Sequence, residues 1–312
     1  MLNRRLIRVK AFKVLFSKVL QGSDSIQAAE NELIASCEKS VDLYCLLMLL
    51  PSALKRLAES KIEVGLQKFH PTEEEANPNR KFVENKFIQI IENDTKFMNL
   101  CVSKCVNWSN NDLFIKKLYA TISTKDYFLE YMESSENSYK EDIALFRRIY
   151  EEELEDNLDL EEILEDSNLS WLDDLAFVIN VILKNMGSFE KKGAVIVPKA
   201  FLKEEDREYA VKLLTRSLVN YDEFTEIVAS YIPNWDLERL VATDLVLVVM
   251  GITEAIYFET IPLKVTINEF VDISKYYSTS NSRIFVNGLL DKILQQMVRD
   301  GKVVKSGRGL VG

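Results

Sequence analysis

The sequence predicts an all-α protein. Glycine and proline number only 10 and 6 in 312 residues, and a chain rich in tight turns needs more of both. Apolar residues recur at helical spacing through most of the chain. The one stretch that reads as a short strand, AVIV at 194–197, has no partner strand to pair with. With 47% hydrophobic residues the chain is ordinary for a globular protein, which excludes wholesale disorder. Its length allows about two domains.

The first helix is predicted from about residue 4 to 20. One line along it reads Arg4, Arg8, Ala11, Leu15, Val19, with Phe12 and Phe16 beside it; Lys10, Lys13 and Ser17 take the other side. The arginines therefore continue the buried stripe. That suggests a helix that projects past its core and turns guanidiniums toward a groove or partner. A frayed basic start is the plainer reading.

A second helix, about 24–39, takes Ser23 or Asp24 as its cap, and an apolar helix follows at 41–63. The run LYCLLMLL at 43–50 is too short for the roughly 20 residues that span a bilayer, so it reads as core. A polar loop covers 69–80. Helices are then expected at KFVENKFIQIIEN, DLFIKKLYATI, TKDYFLEYM, EDIALFRRIYEEELE and WLDDLAFVINVILKNM, before a connector at 187–199. One long helix is expected over 203–230, ended by Pro233 and Asn234. The helix at 235–258 is apolar on nearly every face and should be central. Another helix, with Pro262 near its start, leads to a polar break at 278–282 and a last helix over 282–299.

Composition excludes several chemistries. The single histidine, His70, sits in a loop-like stretch, so multi-histidine metal sites are impossible and a catalytic triad lacks support. Cys37, Cys45, Cys101 and Cys105 read as buried small apolar residues, with no ligand spacing for zinc. Cys101 and Cys105, four apart, share a face if helical. The start MLNRRLIRVKAF carries no secretory pattern, so reduced thiols and a cytoplasmic location are expected. No cofactor or metal is implied.

The net charge of −10 is unevenly spread. Residues 1–21 hold six cations and no acid, whereas 130–174 hold 17 acids and three bases. A local basic patch can bind phosphate on an acidic protein. The acidic stretch should lie away from any such surface, or is simply a solvated helical face.

Residues 261–294 carry a dense pattern: Pro262, Lys264, Val265, Asn268, Glu269, a polar loop, then Phe285, Val286, Asn287, Gly288, Leu290, Asp291 and Lys292. It closely resembles the signature end of the NusB transcription antitermination factors. The arginine-rich first helix leading into Leu15, Phe16 and Ser17 is similar to the family's start. The resemblance implies a NusB-like helical bundle, 1–40 and 196–312, with 41–195 as an inserted helical subdomain.

What the resemblance implies is binding rather than catalysis. Family members bind boxA-type RNA together with the ribosomal protein NusE, join the RNA polymerase antitermination complex, and support ribosomal RNA transcription and maturation. Arg4, Arg5 and Arg8 match the family's RNA element. Arginine suits that task through its planar fork and its stacking on bases. Asn281, Arg283 and Phe285 match the second part of the RNA surface. There Asn281 replaces an acid, Ile284 replaces a cation that Arg283 compensates, and Phe285 reads either as a stacking or as a core aromatic. Phe16 and Asp244 match NusE-contacting positions, and Asp244, an acid in an apolar helix, must be exposed on one side or paired. Asn268 and Asn287 read as buried interhelical amides, and mid-helix Gly288 as a close helix contact. Glu269 with Asp272 or Asp291 shows no metal or glycosidase spacing. Two rivals remain: a protein-interaction scaffold dominated by the insertion, and a NusB-like domain of the kind that precedes RNA cytosine methyltransferases, whose Gly-rich nucleotide-binding unit and catalytic cysteine nothing after residue 261 supplies.

Overall fold

The computed structural model describes residues 1–22, 25–232 and 241–310. Among these, every regular element is helical and none is a strand; AVIV is a loop. The expected cap at Ser23 or Asp24 and the helix end at Pro233 and Asn234 lie outside the described residues. The chain divides into two compact units, Glu38–Ala200 (joined by Met1) and Leu2–Cys37 with Phe201–Gly312.

Helix α1 (Arg4–Gln21) is opened by Asn3, whose side chain accepts from the Leu6 amide, and closed by Gly22 at φ 58°. That left-handed closure suits a residue without Cβ. Its middle is covered on all sides, so Lys10, expected toward solvent, is buried, and so is Leu2 ahead of the helix. The helix therefore does not project past its core.

Helix α2 (Ile26–Met48) continues through the break expected near residue 40. Ser40 is fully buried and donates to Asp174 at 2.6 Å, so its hydroxyl does not compete for the local backbone. The turn comes instead at Leu49, and α3 (Leu50–Leu66) accommodates Pro51 in its first turn, where an N–H would have no helical partner. All of residues 43–50 are buried. Among the described residues no helix is long and apolar enough to cross a membrane.

The rest of this unit is a succession of short helices: α4 (Glu73–Ala76), α5 (Lys86–Asn93), α6 (Thr95–Ser103), α7 (Asp112–Ile122), α8 (Asp126–Glu133), α9 (Tyr139–Ile149), α10 (Leu158–Ser167), α11 (Leu175–Asn185) and α12 (Phe189–Lys192). Helix α9 runs on into a π turn, Tyr150–Leu154. Phe87 anchors the core, its ring 5.2 Å from Phe146 and 6.1 Å from Phe189. Buried acids of the acidic stretch have donors: Asp142 accepts from Tyr131 and the Lys86 amide, and Glu153 from Tyr127. Most of the others face solvent. Helix α6 stops at Ser103, so Cys101 and Cys105 share no helical face. Cys105 takes the left-handed position (φ 55°) of a closing turn in which Val106 N–H reaches the Cys101 carbonyl. Cys37, Cys45 and Cys101 are buried, but Cys105 is exposed. His70 is exposed, edge-on to Phe69.

The second unit adds α13 (Glu204–Val219), α14 (Tyr221–Tyr231), α15 (Ala242–Tyr257), α16 (Leu263–Tyr277) and α17 (Ser282–Arg299). The single helix expected over 203–230 is two, because Asn220 leaves helical geometry (φ −104°, ψ 17°) and its amide donates to the Arg216 carbonyl at 2.6 Å. Helix α15 is central, with nearly every residue from Val246 to Ala255 buried. The close helix contact lies at Gly251 of α15, where a Cβ would come within 2.6 Å of Leu290. Gly288 faces open space, which corrects the sequence expectation: the apolar stripe of α17 runs through Val286, Leu289, Leu290 and Ile293 and leaves residue 288 outside.

Candidate nucleic-acid interface

Helix α1 packs on α13 and α15, and that packing separates its three arginines. Arg8 is 3% exposed and grips the fully buried Glu254 with two bonds, Nε to Oε2 at 2.7 Å and Nη2 to Oε1 at 3.1 Å. Glu254 also accepts from Thr266 at 2.7 Å and from the Tyr209 hydroxyl. Burial, with Glu254 alongside, pushes the Tyr209 hydroxyl far above its ordinary range, so it stays a donor. Glu269 Oε2 stands 3.4 Å from the same guanidinium. The inward stripe read from the sequence is real at Arg8, but it ends on a carboxylate instead of an open groove. A buried charge persists only when paired in this way.

Arg4 and Arg5 are at the surface. Arg4 lies over the Tyr209 ring at 4.9 Å and pairs with Asp206, and Arg5 pairs with Asp272 of α16. Farther along α1, Phe12 and Lys13 approach the ring of Tyr277, the last residue of α16, at 5.5 and 5.4 Å. Side chains of α1 thus reach α16 at Asp272, at Glu269 and at Tyr277, the last beside the 278–282 loop. Arg5 and Phe12 are separated by roughly two helical turns, about 10 Å.

Hydroxyls hold that loop. Ser282 donates to Asp244 Oδ2 at 2.7 Å and lies 2.8 Å from the Thr279 hydroxyl and 2.9 Å from that of Ser278, which in turn lies 2.8 Å from Thr243. Asn281 and Arg283 are exposed, Ile284 is 77% exposed, and Phe285 is half-buried. Asp244 is only 4% exposed, so the contact the structure gives it is with the loop and not with an outer surface. Its Oδ1 has no hydrogen-bond partner among the described residues. Phe16 is half-buried and stacks on Phe12 at 5.9 Å. Ser282→Ala should cost about 2 kcal/mol, because it leaves the Asp244 carboxylate buried without its donor; denaturant melts showing an unchanged midpoint would remove Asp244 as the loop's anchor.

Asn268 and Asn287 are exposed, not buried, and line a surface groove with Lys264 and Asp291. Both helices turn these amides outward because their inward positions are taken by Thr266, Phe270, Val286 and Leu290. Glu269 and Asp272 each have an arginine partner, and among the described residues no group of acids, cysteines or histidine could hold a metal ion. Sequence reasoning missed Tyr209 and Glu254. Glu254 did carry a signal, a second acid inside an apolar helix.

A sequence model of the NusB family matches residues 188–295. The transcription antitermination protein NusB of Methylacidiphilum infernorum is 39% identical over 98 residues, 31% of this chain and 68% of that protein. The chain belongs to the NusB family. The corresponding protein of Salinibacter ruber is 40% identical over 106 residues, and that of Chloroherpeton thalassium 33% identical over 123 residues. The chain spans 66% and 58% of those two relatives, and the matched parts are 34% and 39% of its own length. No solved structure matches it. The family match takes in Tyr209, Asp244, Glu254 and the 278–285 segment, and it begins well after α1. Much of this NusB-family chain, most of Glu38–Ala200 included, therefore lies outside the matched residues.

Proposed function

We propose that this chain is an RNA-binding transcription antitermination factor that takes boxA-type RNA together with NusE, within the RNA polymerase complex that transcribes ribosomal RNA in the cytoplasm. The observation that carries the reading is the display of Arg4 and Arg5 at the surface of the family's unit, on a helix that also reaches the edge of the 278–282 loop. In this reading Arg4, Arg5, Asn281, Arg283 and Phe285 meet RNA. Arg8 acts from inside: locked to Glu254, it fixes the rotation of α1 and hence the direction in which Arg4 and Arg5 point. Phe16 offers NusE an aromatic edge, and Asp244 contributes through the loop it anchors. Residues 41–195 are an inserted helical module, a reading that the separate compact unit Glu38–Ala200 supports.

Single-stranded RNA bound through phosphates releases counter-ions, with a salt slope of about −0.7 per phosphate. Anisotropy titrations of labelled boxA-type RNA in the presence of NusE test the site. Arg4→Ala with Arg5→Ala should weaken binding at least tenfold at low salt and flatten the slope by about 1.4. An unchanged affinity and slope would exclude this end of α1.

A further inference from the structure

Both arginines that α1 displays are already occupied. Arg4 Nε lies 3.4 Å from Asp206 Oδ1, and Arg5 Nη1 lies 3.1 Å from Asp272 Oδ2. Each is a single contact between side chains that water reaches: exposures are 44% and 20% for the first pair, 39% and 48% for the second. Arg8, one turn along the same helix, is the opposite case, doubly bonded and dry. One helix thus carries a locked guanidinium and two loosely held ones.

A phosphate that grips Arg4 or Arg5 on the edge now held by an aspartate must exchange with that carboxylate. Exchange is cheap for both acids. Asp272 is returned to water, and Asp206 sits in the first turn of α13, where the helix N-terminus favours negative charge. Arg4 keeps its place over Tyr209 when the acid leaves. A phosphate also offers two oxygens to the guanidinium fork, whereas each aspartate engages it through one.

We propose that Asp206 and Asp272 are exchangeable counter-ions of the RNA site: they hold Arg4 and Arg5 in the free protein and are displaced by RNA phosphates, so they set how strong an anion must be to dock. This rests on the RNA-binding reading above. A ligand with several linked phosphates displaces both acids in one event, while a single small anion must do so piecemeal.

The test uses the full chain with NusE and labelled single-stranded boxA-type RNA, with thermal melts confirming that each variant is folded. Asp206→Asn and Asp272→Asn should each tighten binding by about two- to fivefold, the range expected for releasing an exposed ion pair. In an Arg5→Ala background the gain from Asp272→Asn should disappear, since no guanidinium remains for it to occupy. Equal or weaker binding by the asparagine variants overturns the proposal and makes the pairs a scaffold that orients the arginines; loss of binding in the Arg4→Ala, Arg5→Ala protein would still uphold the RNA site. The same gain with and without Arg5 also overturns it, leaving only long-range repulsion. Absence of RNA binding by every variant defeats both readings together.

Discussion

Arg8→Ala is expected to destabilise the protein by about 3–5 kcal/mol, the cost of leaving one member of a buried ion pair behind. Glu254 is fully buried, and after the change only the Tyr209 and Thr266 hydroxyls would face a carboxylate now without its cation. Lysine would not rescue it, because a single ammonium cannot reproduce the two bonds that Nε and Nη2 make. Replacing both partners by methionine should recover only part of the loss, since it removes the unpaired charge but leaves the buried Tyr209 and Thr266 hydroxyls without their acceptor. Denaturant midpoints for the two single variants and the double one settle the matter. A single-variant loss under about 1 kcal/mol, or a double variant as weak as Arg8→Ala, would contradict the reading that the unpaired Glu254 charge is what costs stability.

Phe87→Ala should have an effect of similar size in the other compact unit. Phe87 is fully buried, and its ring meets Phe146, Phe189 and Tyr139 at centroid distances of 5.2, 6.1 and 6.5 Å. Removing a ring from such a cluster costs about 3–5 kcal/mol, part lost burial and part cavity. Phe87→Leu, which keeps most of the volume, should cost less than half as much. Unfolding followed by circular dichroism would show it. Near-equal midpoints for alanine and leucine would mean that the site collapses around the missing ring and that the cluster is less tightly packed than it looks.

These residues also mark how far sequence reading reaches. The bounds of α7 and the start of α17 were legible because turn chemistry and apolar spacing agree there. The break at Asn220 was not, because the apolar period runs straight across it and only a side-chain bond to Arg216 tips the balance. The break expected near residue 40 does not occur, because a carboxylate 134 residues away holds the Ser40 hydroxyl and the helix runs through. At the candidate site, the stripe that placed Arg8 on the inner face was correct as a direction. Periodicity cannot say what waits on that face, and Glu254 comes from a helix 246 residues later. Asn268 and Asn287 read from sequence as interior amides, but the packing of α16 and α17 leaves them on the rim of a groove.

The loop at 278–282 has a directional consequence. A carboxylate is a pure acceptor, and the Ser282 hydroxyl has one proton, which goes to Asp244. The oxygen of Ser282 is then left only to accept, and since it already takes the Thr279 amide N–H at 3.2 Å, it has room for one more donor, the Ser278 or the Thr279 hydroxyl, 2.9 and 2.8 Å away. At Ser282 the direction is fixed, its proton pointing inward to Asp244. Ser282 therefore has no O–H left to offer an incoming phosphate. Whatever docks on the loop is addressed by the exposed Thr279, Ser280, Asn281 and Arg283 and not by Ser282, the residue that anchors it.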